Sequence, residues 1–156
     1  GMSKLASLSN LQLLLRIVAA KRECKYADNP THSSNGGCAC GGTGKVPILA
    51  PKLMRLPCPY PCHCQRGPLH PAPCMTRGWM PNPDGWAMRR ALCRAGFQLL
   101  ERHTDESYFQ AGCYPQAQGS PLYPTVGYIW DADPERARLL AVAKAFMGSG
   151  IDKPGA

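Results

Sequence analysis

The segment Cys38-Ala-Cys40-Gly-Gly-Thr-Gly44 is matched farther along the chain by Cys62-His-Cys64-Gln-Arg-Gly67. In each segment one residue separates two cysteines, and a glycine follows the second cysteine within three residues. Such a glycine lets the backbone curl so that its N–H groups face the sulfurs. Because zinc takes four thiolate or imidazole ligands in a tetrahedron, the two segments predict one zinc site closed by their four cysteines.

Cys58 is an alternative ligand for this site. The stretch Cys58-Pro-Tyr-Pro-Cys62 could supply the second ligand pair, which would leave Cys64 spare. The candidate ligands are therefore Cys38, Cys40, Cys58, Cys62 and Cys64. A second zinc could draw on further residues, namely Cys24, His32, His63, His70 and Cys74. Disulfides or free thiols remain the other reading, although an odd count of nine cysteines fits complete internal pairing poorly.

The stretch from Cys40 to Val46, Cys-Gly-Gly-Thr-Gly-Lys-Val, resembles the second half of the Cys-x-x-Cys-x-Gly-x-Gly repeat of DnaJ-type chaperones. The resemblance implies a zinc-binding module in the Cys-rich part of the chain. Gly37 stands where the first cysteine of that repeat would be, and the chain contains no Cys-x-x-Cys. The resemblance therefore does not extend to chaperone activity.

Charge, cysteine and proline divide the chain into two parts. Residues 1–80 hold ten Lys and Arg against two acids, whereas residues 81–156 hold eight of each sign, and seven of the nine cysteines lie between residues 24 and 74. This distribution predicts a basic, zinc-stabilised module over 1–80 and an ordinary small domain over 81–156.

The N-terminal module begins with a predicted helix. Leu11, Leu14, Leu15 and Val18 fall on one helical face, and Ser9 can cap the start. This periodicity favours an amphipathic helix over a secretory signal, and it predicts a cytoplasmic protein whose thiols stay reduced and available for zinc. No run of about 18 apolar residues occurs, so no membrane span is expected.

The second module alternates helix and strand signals. Asp84 can cap a helix that ends at Gly96, and Asp133 can cap a last helix whose buried stripe is Leu139, Val142, Ala143 and Phe146. Between them, strands are predicted at Phe97–Arg102, Ser107–Tyr114 and Thr125–Trp130, with a polar turn at His103–Glu106. The predicted fold class is α+β: an N-terminal helix and an irregular Cys-rich zinc module, then a three-stranded antiparallel sheet with two helices in the order αβββα.

This second module resembles the small α/β sandwich proteins often encoded by bacteriophages. The resemblance rests on the helix-to-strand passage Trp86–Phe97 and on the closing segment Asp131–Phe146. It is architectural, and it implies a phage or mobile-element type of protein without naming any catalytic residue.

Composition and motifs favour binding over catalysis. A zinc with four thiolates contributes a charge of about −2, so the first module keeps about +6, and Tyr26, Tyr60 and Trp79 offer rings for base stacking. A solvated surface or a protein partner would use the same charges. The motifs Gly-x-Ser-x-Gly and Cys-x-x-Cys are absent. We therefore expect a non-enzymatic binding protein; the alternatives are a zinc enzyme with an open metal position and a protein-interaction adaptor. Cys93 and Cys113 are expected to be small buried side chains rather than ligands.

Overall fold

The computed structural model describes residues 2–24, 40, 43–59, 77–104, 108–116 and 128–148. These residues form a mixed α+β protein with five helices and three small antiparallel sheets. The helices are α1 (Met2–Ala6), α2 (Asn10–Ala19), α3 (Pro51–Met54), α4 (Gly85–Arg94) and α5 (Pro134–Gly148). The strands are β1 (Lys21–Glu23), β2 (Lys45–Pro47), β3 (Arg55–Pro57), β4 (Trp79–Pro81), β5 (Phe97–Thr104), β6 (Tyr108–Pro115) and β7 (Ile129–Asp131).

The largest sheet has β6 between β5 and β7, and both pairings are antiparallel. Side chains alternate between the two faces of a strand, and Ala111 and Cys113 of β6 enter the apolar core together with α5. The ring of Phe97 at the start of β5 lies 5.2 Å from the ring of Phe146 on α5. The sheet is thus covered on one face by the last helix.

Helices α4 and α5 begin where the sequence predicts. The Asp84 side chain accepts a hydrogen bond from the Trp86 N–H at 3.1 Å, and the Asp133 side chain accepts one from the Glu135 N–H at 3.1 Å. Gly96 ends α4 with a φ of +88°, a left-handed conformation that favours glycine. The predicted stripe on α5 is buried, and α5 also buries the neighbouring Ala137, Leu140, Ala141 and Ala145.

Helix α2 carries the predicted cap but turns a different face to the core. Ser9 and Gln12 form a reciprocal capping box. The buried face consists of Leu13, Leu14, Ile17 and Val18, whereas Leu11 is 41% exposed. The predicted face was therefore wrong by part of a turn. Because the segment is apolar nearly throughout, two overlapping stripes fit helical spacing, and packing against α5 selects between them.

The N-terminal helices and the C-terminal sheet share one apolar core. Leu13 and Ile17 of α2 belong to the same buried cluster as Leu92 of α4 and Phe146 of α5. The Arg136 guanidinium on α5 also donates hydrogen bonds to Asn10 Oδ1 at 3.0 Å and to the Ala6 carbonyl at 2.7 Å. The division at residue 80 therefore concerns which segment can fold alone, and it stays a prediction.

Two predictions about local structure were wrong. The sequence places a polar turn from His103, but β5 continues through Thr104, and the His103 ring stacks on Phe109 at 4.5 Å. Residues 105–107 lie outside the described part of the chain. The module predicted to be irregular contains two regular antiparallel ladders, β1–β2 and β3–β4. Short strands amid Pro and Gly carry little periodicity, so the sequence pattern does not reveal them.

Candidate metal centre

The first ladder, which we call hairpin 1, brings β1 and β2 together around Cys24. Lys21 pairs with Pro47 and Glu23 pairs with Lys45. The next residue, Cys24, donates its N–H to the Gly44 carbonyl at 2.7 Å. Gly44 has a φ of +79°, which a residue with a Cβ rarely adopts. The ladder therefore ends with Cys24 fixed against a glycine turn.

Cys40 is tied to the same end of hairpin 1. The Thr43 N–H donates to the Cys40 carbonyl at 3.1 Å, and the Thr43 hydroxyl donates to that carbonyl at 2.6 Å. Thr43 directly precedes Gly44. Consecutive backbone bonds thus connect Cys40, the glycine turn and Cys24.

The second ladder, hairpin 2, pairs β3 with β4 in the same way. Arg55 pairs with Pro81 and Pro57 pairs with Trp79. Cys58, the residue after β3, donates its N–H to the Gly78 carbonyl at 3.2 Å, and Gly78 has a φ of +82°. Cys58 therefore occupies in hairpin 2 the place that Cys24 occupies in hairpin 1.

The correspondence between the hairpins extends beyond the cysteines. Every strand pair of hairpin 2 lies 34 residues after its counterpart, from residue 21 to residue 55 onward. Below the ladders, the Ile48 N–H donates to the Ala20 carbonyl at 3.0 Å, and the Asn82 N–H donates to the Met54 carbonyl at 2.8 Å. These two bonds have the same offset. The hairpins are therefore two copies of one backbone unit.

The hairpin cysteines are buried apart from the apolar core. Cys24, Cys40 and Cys58 are 6%, 5% and 6% exposed, yet none of them belongs to the apolar cluster of the described residues. Cys113 does belong to it and is fully buried. Burial raises the pKa of the Cys113 thiol to about 12, so this side chain behaves as a small neutral hydrophobe.

The structure describes two of the five predicted ligands. Cys40 and Cys58 are both buried, each at the open end of a hairpin. The other candidates lie outside the described residues, namely Cys38, Cys62, Cys64, His32, His63, His70 and Cys74. Within the described ranges, no group of three or more His, Cys, Asp or Glu side chains is placed to hold a metal ion. The donor type nevertheless fits zinc, which prefers thiolates.

Cys93 and Cys113 stand apart from the hairpins, as the sequence predicts. Cys113 is buried in β6, but Cys93 on α4 is exposed, so the prediction that it is buried was wrong. Cys93 lies beside the buried residue Leu92, and a helix position next to the apolar face turns either inward or outward according to the packing of the helix.

Sequence reasoning missed the role of Cys24 as the counterpart of Cys58. The strand register aligns Cys24 with Cys58 and Cys40 with Cys74, whereas the sequence comparison matched Cys40 with Cys64. The signal was a set of identities at the 34-residue offset. The identical pairs are Cys24 and Cys58, Tyr26 and Tyr60, Cys40 and Cys74, Gly44 and Gly78, and Pro47 and Pro81.

Hairpin 2 also carries a stack of charged and aromatic groups. The guanidinium carbons of Arg55 and Arg77 lie 4.3 Å and 5.0 Å from the centre of the Trp79 ring. Among the described residues, the buried Nε of Arg55 has no hydrogen-bond partner. Burial lowers the pKa of the Arg55 guanidinium, which remains charged at neutral pH because its ordinary value is so high.

The arginines of the C-terminal sheet are engaged differently. Glu101 forms ion pairs with Arg89 and with Arg138, the latter at 2.5 Å, and Arg102 donates to the Gln110 side chain at 2.5 Å. These groups line a cavity of about 280 Å³ that also includes His103. Two arginines hold Glu101 as a charged partner, so it is poorly suited to accept a proton.

No family model, curated protein or solved structure matches this chain. Among the described helices, none combines the length and apolar character needed to cross a bilayer.

Proposed function

We propose that the protein is a non-enzymatic, zinc-stabilised protein that binds single-stranded nucleic acid through hairpin 2. The observation that carries the proposal is the Arg55–Trp79–Arg77 stack. A guanidinium that stacks on a ring keeps its N–H edge available for a phosphate. An aromatic ring between cations can take a base by stacking, and base stacking tolerates any sequence.

The charge around the stack supports the same function. No Asp or Glu occurs between Asp28 and Asp84, so hairpin 2 lies in a stretch that contains only basic charges. The outward strand β1 of hairpin 1 adds exposed Lys21 and Arg22. A phosphate backbone would be neutralised by such side chains, with release of bound counterions.

The proposal includes the finer features of the sequence analysis. Zinc, held by cysteines among Cys38, Cys40, Cys58, Cys62 and Cys64, would order the loops that present the stack. The segment from α4 to α5 would serve as an αβββα support. A phage or mobile-element origin and a cytoplasmic location complete the proposal, and each is testable separately.

Binding of a fluorescent single-stranded oligonucleotide tests this function. We expect affinity that falls as salt rises, because counterions are released on binding. The double variant Arg55→Gln/Arg77→Gln should bind more weakly and flatten the slope of log affinity against log salt by about 1.4, since each single-strand phosphate contact contributes about 0.7. Fluorescence anisotropy over a series of salt concentrations measures both effects.

The matched control is Arg90→Gln/Arg94→Gln, which removes the same charge from exposed positions on α4. Its salt slope should stay near that of the unmodified chain. Equal losses in the two double variants would show that net charge alone drives binding. No binding at low salt would reject the nucleic-acid function.

A further inference from the structure

We propose that the protein holds two metal ions, one in each hairpin, with Cys24 and Cys58 as equivalent ligands. This inference rests on the zinc-stabilised function proposed above and changes how its ligands are grouped. It assigns Cys24 to the metal machinery and replaces a single site shared between hairpins by two sites of the same construction.

The first argument is the backbone equivalence of the two cysteines. Cys24 and Cys58 each follow the last strand residue and each donate an N–H to a left-handed glycine at the opposite strand end. A ligand whose backbone is fixed in this way presents its sulfur in the same direction in both copies. A single ion between the hairpins would have to use two equivalent positions unequally.

The second argument is burial without apolar packing. Cys24, Cys40 and Cys58 lose nearly all contact with water, but they lie outside the apolar cluster formed by the described residues. A cysteine that is buried as a hydrophobe is expected inside such a cluster, as Cys113 is. A thiolate bound to a metal is buried for another reason, because coordination replaces hydration.

The third argument is the supply of ligands within each hairpin. Between the two strands of hairpin 1 the sequence holds four Cys and His residues, which are Cys24, His32, Cys38 and Cys40. Between those of hairpin 2 it holds six, which are Cys58, Cys62, His63, Cys64, His70 and Cys74. A closed zinc site needs four, so neither hairpin has to borrow a ligand from the other.

The test is the number of zinc ions per chain, measured on the full-length protein purified under reducing conditions. Elemental analysis and native mass spectrometry should both give two. Cys24→Ser and Cys58→Ser should each reduce the number to one, because an alcohol is a far weaker zinc ligand than a thiolate. Combining the two substitutions should remove both ions. Cys93→Ser, at an exposed position on α4, should keep two.

The outcomes separate this inference from the proposed function. One zinc per chain, lost in Cys58→Ser and kept in Cys24→Ser, would overturn the two-site arrangement and leave a zinc-stabilised binding protein. No zinc in the unmodified chain would reject the zinc-stabilised function itself. Should a cysteine variant fail to fold, the count for the unmodified protein still decides, because one ion contradicts the inference and two support it.

Discussion

Cys113 and the hairpin cysteines are buried to a similar degree, but their surroundings differ. Cys113 lies in the middle strand of a sheet covered by α5, among residues of the apolar core. Cys24 and Cys58 lie at the ends of three-residue strands, outside that core. The C-terminal sheet can therefore be stabilised by apolar burial, whereas the hairpins require another source of stability. In our proposal that source is zinc.

The largest expected effect in the apolar region comes from truncating its central ring. Phe146 is 1% exposed and contacts the Phe97 ring across the face of the sheet. Phe146→Ala should lower the free energy of unfolding by about 3–5 kcal/mol, since it removes buried area and leaves a cavity. Urea denaturation followed by circular dichroism measures the change.

Zinc content sharpens this comparison. If metal stabilises the hairpins, the folded fraction of Phe146→Ala should still hold zinc in dilute buffer. Loss of zinc from a variant that remains folded would mean that the hairpins depend on the apolar core rather than on the metal.

A smaller effect is expected from alkaline pH, through Cys113. Its pKa is about 12 in the folded state, above the ordinary value of 9.0. The unfolded chain therefore releases this proton first, and the stabilising contribution falls as pH rises from 9 towards 12. Between pH 8 and pH 10 the loss is about 1.4 kcal/mol, equivalent to one pKa unit.

The matched variant for this measurement is Cys113→Ala, which lacks the titrating thiol. Its stability should fall less steeply between pH 8 and pH 10 than that of the unmodified chain, while other alkaline titrations affect both proteins alike. Identical slopes would show that Cys113 is not the neutral core thiol described here.

The sequence predicted best where one residue decides a local structure. Asp84, Gly96 and Asp133 act within one turn of their own positions, and the helix boundaries followed from them. The face of α2 could not be fixed from spacing, because its orientation depends on α5, more than a hundred residues away in sequence. The extension of β5 through His103 likewise depends on a cross-strand partner, Phe109.

The candidate metal site was predictable in chemistry but not in grouping. Thiolate-rich composition and glycine turns indicate zinc without any structure. Which cysteines correspond to one another depends on strand register, and three-residue strands have too little periodicity to announce it. The 34-residue offset between Cys24 and Cys58 was visible as identical residues, but it gains physical meaning only with the paired ladders.

Amide hydrogen exchange with and without a zinc chelator tests the central claim most directly. The N–H groups of Cys24 and Cys58 close the two hairpins, and the β6 amides report on the apolar sheet. We predict that chelation makes both cysteine amides exchange rapidly, in parallel, while the amides of β6 stay protected. Cysteine amides that remain protected after the metal is removed, or a β6 that loses protection together with them, would contradict the account.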